Sequence, residues 1–91
     1  MIFSETELKG AFILEIKKLQ DERGFFARSF CQNEFREHGL EPVIAQGNIS
    51  YNRLKGTLRG MHYQTDPLPG SKIVRCVHGA IYDVIIDLRA G

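Results

Sequence analysis

The pattern of apolar and polar residues along this chain predicts strands far more often than helices. Residues 11–16 (AFILEI) form a short apolar run. Residues 25–30 (FFARSF) are aromatic-rich, the composition of a strand. At 43–50 (VIAQGNIS), Gln46, Asn48 and Ser50 share one parity, while Val43, Ala45 and Ile49 share the other. That is a half-polar strand. Residues 57–64 (TLRGMHYQ), 72–78 (KIVRCVH) and 80–88 (AIYDVIIDL) read as three more strands, the last two around Gly79. Between them, 17–24 (KKLQDERG) reads as a polar loop, 52–56 (NRLKG) as a turn and 65–70 (TDPLPG) as a loop by its Pro and Gly content. One helix is predicted, over 32–38 (QNEFREH), with Gly39 as its stop.

Strands with turn signals at short intervals and one brief helix predict an all-β sandwich or barrel. The chain has no internal repeat, low-complexity segment or linker. Its last strand runs almost to Gly91. A barrel half ending there would leave strand edges unpaired, so residues 1–91 are expected to be the N-terminal part of one larger domain.

Composition narrows the classes of function. A length of 91 residues allows one small domain. Apolar content is 43% and charged content 25%, near the globular averages, and the net charge of +1 leaves no electrostatic footprint for nucleic acid or an anionic membrane. Any role for the basic residues must therefore come from their placement. Cys31 and Cys76 are too sparse for a disulfide framework or a zinc site, which suits buried or free thiols in a reducing compartment. No signal peptide opens the chain and no run approaches about 18 apolar residues, so a cytoplasmic protein is expected.

The candidate chemistry centres on GTLRGMHYQ (56–64). A lone strand histidine such as His62 can be a packed residue, a metal ligand or a base. The amides of Gln46 and Asn48 mark a strand face that is either solvated or lines a polar cavity. Arg59 suits an anionic group. Arg59 and His62 have opposite parity in a regular strand, so bringing them to one side predicts a bulge or irregularity at Gly60–Met61. The metal reading is weak, because positions 60 and 64 are Gly and Gln where an HxH pair and a carboxylate would be needed. Lys72 is either at a strand end with its head in water or a charge placed in a pocket. Asp83 and Asp87 share a parity. Both are solvent-facing, or Asp87 pairs with Arg89, or Asp83 orients Lys72 or His62. In DERGFF (21–26), Arg23 beside two aromatics is either a solvated loop charge or a nucleotide contact.

DERGFF, Gln46-x-Asn48, KGTLRGMHYQ (55–64), KIVRCVHG (72–79) and IYDVIIDLR (81–89) occur in this order, and the chain from Phe12 onward resembles the N-terminal half of the dTDP-4-dehydrorhamnose 3,5-epimerase family. The resemblance implies a cupin-type jelly roll and a homodimer with the sheet shared between subunits. It implies inversion of carbons beside the 4-keto group of a dTDP-linked 6-deoxy sugar, with no metal or redox cofactor. By the same resemblance His62 is the general base and Lys72 lies near the keto oxygen. Arg23 and Arg59 bind the diphosphate, and Gln46 and Asn48 are polar substrate-binding positions. The family's proton donor, a tyrosine, and the aspartate that orients the histidine belong to its C-terminal half. A protein ending at Gly91 is therefore expected to show little or no epimerase activity, and a sugar-nucleotide-binding cupin without turnover is the alternative. One departure concerns the nucleotide: Arg28 stands where the family often has Glu.

Overall fold

The computed structural model describes residues 1–63 and 70–90. The chain divides into two compact units, one formed by Met1–Ala45 with Ile86–Gly91 and the other by Gln46–Ile85.

The first unit holds every strand and helix found among the described residues. Strands β1 (Ile2–Glu5) and β2 (Phe12–Glu15) pair antiparallel, Phe3 opposite Leu14 and Glu5 opposite Phe12. Alternation puts Phe3, Phe12 and Leu14 on one half-buried face, with Ile13 and Glu15 exposed. The connection closes on Thr6, whose backbone N–H donates to the Ala11 carbonyl at 3.2 Å and whose hydroxyl accepts the Leu8 N–H at 3.2 Å.

Strands β3 (Leu19–Asp21) and β4 (Gly24–Phe26) form a second hairpin, with Asp21 opposite Gly24. The predicted loop over 17–24 is thus corrected to a strand and a turn, and the strand predicted over 25–30 is shorter and begins at Gly24. The reason lies in the turn residues. A two-residue turn with negative φ at Glu22 and Arg23 favours Asp at its first position and Gly at its fourth. Asp21 and Gly24 meet that need, Gly24 at φ +135°.

Helix α1 (Gln32–Glu37) forms where the sequence predicts a helix. It ends on Gly39 at φ +70°, with Gly39 N–H donating to the Arg36 carbonyl (3.0 Å) and Leu40 N–H to the Phe35 carbonyl (2.9 Å). That bond pair satisfies the last carbonyls, and the left-handed residue between them favours glycine. Phe35, 3% exposed, is the buried hydrophobic residue of the described chain. Its ring meets Phe30 edge-on at 4.8 Å and Phe3 at 5.8 Å, and Phe3 stacks on the His38 ring at 3.8 Å. Burying one such ring contributes about 2 kcal/mol, and the edge-on contacts add to it.

The second unit is different. Its described residues form no strand or helix and all are exposed. The strands predicted over 43–50, 57–64, 72–78 and 80–88 are therefore corrected to irregular chain among the described residues. What the structure has is strands in two small antiparallel sheets with one short helix. Strand propensity is largely packing against cross-strand and same-face neighbours. Val74, Ile81 and Ile85 stay more than half exposed among the described residues, so their burial does not offset ordering the backbone there. The predicted bulge at Gly60–Met61 has no ladder to interrupt, although the backbone is irregular there, with Gly60 at φ +102°. The loop predicted over 65–70 lies, apart from Gly70, outside the described residues.

Candidate functional site

The six candidate residues fall in both units, Arg23 in the first and Gln46, Asn48, Arg59, His62 and Lys72 in the second.

Arg23 stands at the tip of the β3–β4 hairpin, its side chain 85% exposed. The turn places it two residues after Asp21, whose carboxylate takes three of its N–H groups. The backbone N–H donates to Oδ1 at 2.8 Å, Nε to Oδ1 at 3.4 Å and Nη2 to Oδ2 at 2.6 Å. These bonds from the Arg23 side chain, and then from its backbone, hold the Asp21 carboxyl below its ordinary value, and Asp21 raises that of Arg23. Phe25 and Phe26 follow on β4, both exposed, with the Lys18 ammonium 4.8 Å from the Phe25 ring centre. The hairpin therefore carries an exposed guanidinium at its tip and two exposed aromatics on β4, Phe25 with the Lys18 ammonium over its ring, a combination suited to a phosphate and a ring.

In the second unit Arg59 is tied backward. Its Nε donates to Asn52 Oδ1 at 2.6 Å, and Nη2 reaches the Tyr51 carbonyl at 3.5 Å. His62 is exposed and folds over Gly60. A Cβ added at Gly60 would lie 3.5 Å from the His62 ring Nδ1. With its positive φ, position 60 suits glycine on conformational grounds, and the histidine ring occupies the space beside it. Gln46, Asn48 and Lys72 are exposed. Among the described residues of the second unit, no hydrogen bond or ion pair joins any two of Gln46, Asn48, Arg59, His62 and Lys72. Asp83 makes none to Lys72 or His62. Among the described residues no three His, Cys, Asp or Glu side chains converge as a metal site.

Two residues that sequence reasoning passed over take part in these arrangements, Asp21 and Asn52, the immediate holders of the two arginines. For Asp21 a signal existed: an Asp opening a turn two residues before an Arg is placed to accept that residue's N–H. For Asn52, seven positions before Arg59, no spacing rule would have found the pair.

Arg28, the position that departs from the family, has a local partner. Its Nη1 lies 3.2 Å from Glu34 Oε2, and Glu34 Oε1 accepts the N-terminal ammonium at 3.1 Å. The ammonium first and Arg28 second hold the Glu34 carboxyl below its ordinary value. Asp87 and Arg89 pair as the sequence suggested, with Nη2 2.8 Å from Oδ2 and Nε 2.9 Å from Oδ1. Arg89 lowers the Asp87 carboxyl to about 2.

With the geometry in place, comparison with known proteins gives a consistent result. The family described as dTDP-4-dehydrorhamnose 3,5-epimerase matches residues 5–91, which contain all six candidates. Curated relatives of that name are similar in sequence. The protein of Methanothermobacter thermautotrophicus is 44% identical over 87 residues, covering 96% of this chain and 46% of the relative. That of Shigella flexneri is 45% identical over 86 residues, 93% of this chain and 47% of the relative. That of Escherichia coli is 43% identical over 86 residues, 92% of this chain and 45% of the relative. No solved structure matches. The chain belongs to the dTDP-4-dehydrorhamnose 3,5-epimerase family, and it spans about half the length of the curated relatives it matches. No helix among the described residues is long and apolar enough to cross a membrane.

Proposed function

We propose that this chain is the N-terminal part of a cupin-type jelly-roll epimerase, a cytoplasmic homodimer that inverts C3, C5 or both on a dTDP-linked 4-keto-6-deoxy sugar. The family match over residues 5–91, which includes the whole RGMHYQ stretch around His62, carries this reading. The chemistry fits the residue types. A C–H beside a ketone is acidic because its anion is an enolate, and a neutral imidazole at His62 is a base suited to take that proton near neutral pH. The enolate oxygen needs a cationic or hydrogen-bonding partner, the part assigned to Lys72. Arg23 and Arg59 take the diphosphate as guanidinium forks. Gln46 and Asn48 supply amides for the polar substrate. No metal or redox group enters these steps.

The test is deuterium uptake from heavy water at the carbons flanking C4, measured on a dTDP-4-keto-6-deoxy sugar incubated with this chain. The expected outcome is uptake slower than that of the full-length relatives and abolished in His62→Ala. Uptake that His62→Ala leaves unchanged overturns the assignment of the base.

A second reading is favoured by one observation, that no bond joins the five candidates of the second unit to one another among the described residues. In it the chain binds a sugar nucleotide without turning it over. Calorimetric binding of dTDP with no deuterium uptake in the wild-type chain would select it, and a chain that binds no dTDP contradicts both readings.

A further inference from the structure

The chain uses one local device twice. Asp21-Glu22-Arg23 and Asp87-Leu88-Arg89 are both Asp-x-Arg turns. In each, the arginine backbone N–H donates to the aspartate Oδ1, at 2.8 Å and 2.9 Å. In each, Nε donates to the same Oδ1 and Nη2 to Oδ2. The carboxylate thus occupies the Nε–Nη2 side of the guanidinium. A guanidinium has five N–H donors in a planar fork, so three remain, two on Nη1 and one on Nη2.

The second copy shows what the remaining donors do. Arg89 Nη2 also donates to the backbone carbonyl oxygen of Lys9, at 2.6 Å and eighty positions away in sequence. The clamp at Asp87 therefore leaves its arginine able to take an oxygen acceptor, on a side chain whose orientation is already set. The first copy has the same clamp on an arginine that projects from a hairpin tip, and no second oxygen acceptor engages its guanidinium among the described residues.

We propose that Asp21 is a positioning residue for Arg23, holding the guanidinium on its Nε side so that the Nη edge is presented to the diphosphate of a nucleotide. This rests on the assignment of Arg23 to the diphosphate. A free arginine would have to give up its rotamer freedom on binding. Here the turn and the carboxylate have already removed much of it. Asp21 also brings a negative charge near a polyanion, so orientation and repulsion predict opposite signs for its removal.

That opposition is the test. Binding of dTDP is measured by calorimetry, with the full 91-residue chain, on the wild type, Asp21→Asn, Arg23→Lys and the double variant. Asn keeps an oxygen for the turn and loses the charge-assisted fork. Positioning predicts that Asp21→Asn binds dTDP about fivefold more weakly, the size of an exposed bidentate pair. It also predicts that the same change has no effect in the Arg23→Lys background, because an ammonium cannot be held as a fork. Equal or tighter binding by Asp21→Asn overturns the proposal, and so does a loss that persists in the Arg23→Lys background, which would mark a role in hairpin folding alone. If the wild type binds and Arg23→Lys weakens it while Asp21→Asn does not, positioning fails and the diphosphate assignment stands. If the wild type binds no dTDP, or Arg23→Lys binds as tightly, both fail together.

Discussion

The two units of this chain contrast in how far their contacts reach. In the first, each strand pairs with another strand, and the helix packs its buried ring on aromatics from other parts of the chain. Hairpins join β1 to β2 and β3 to β4, and α1 sets Phe35 against Phe3 and Phe30. In the second, the described residues with equal strand propensity stay exposed and form no ladder among the described residues. The difference teaches that alternation alone does not make a sheet here. Hairpin turns and a helix cap lower the entropy cost of order in the first unit. The alternating segments of the second need a partner layer that the contacts in this structure do not supply.

The strongest way to break the contrast is Phe35→Ala. Removing the buried ring should cost the first unit about 3 kcal/mol or more, read as loss of ring-current shifts at Phe3 and Phe30. Shifts there that survive the substitution would contradict this packing. A smaller effect is expected at Gly39, where the helix stop sits at φ +70°. Gly39→Ala should cost about 1 kcal/mol in denaturant unfolding of α1. Leu58→Ala sharpens the contrast from the other side. Leu58 is 91% exposed, so its truncation should change stability by less than about 0.5 kcal/mol.

The subtlest effect is electrostatic. Asp87 is lowered by Arg89 to about 2 from an ordinary 3.8. A depressed folded-state value means that the pair's contribution is present above pH 3.8 and is lost as pH falls through about 2. Carboxyl NMR titration should therefore place the Asp87 midpoint near 2 in the wild type and close to 3.8 in Arg89→Ala. A midpoint unmoved by the substitution would break the link between Arg89 and the Asp87 charge.

The parts of the fold that could be read in the sequence were those with local causes. Helix formers followed by Gly39 announced α1, and the apolar run over 11–16 announced β2. β1 went unread because IFSE places its two apolar residues side by side without alternation, whereas β2 lies within a six-residue apolar run. The β3–β4 hairpin went unread because DERG looked like a charged loop, although its first and fourth residues are those its turn requires. The strands over 43–88 were read from alternation at 43–50 and β-type apolar runs further on, and their outcome depends on distant packing, which local pattern does not encode. For the candidate site, the sequence marks Arg23, Arg59 and His62 by their distinctive chemistry and order, and their roles rest on the proposal. The ties of Arg23 to Asp21 and Arg59 to Asn52 were not legible, since they depend on how turns bring side chains back on the chain.

The central claim is that His62 is the base of a sugar-nucleotide epimerase. The most direct measurement follows deuterium from heavy water into the positions flanking the keto carbon of a dTDP-4-keto-6-deoxy sugar, with the wild-type chain and His62→Ala side by side. The account predicts uptake in the wild type that disappears in the variant while dTDP binding persists. Uptake at the same rate in both would contradict it.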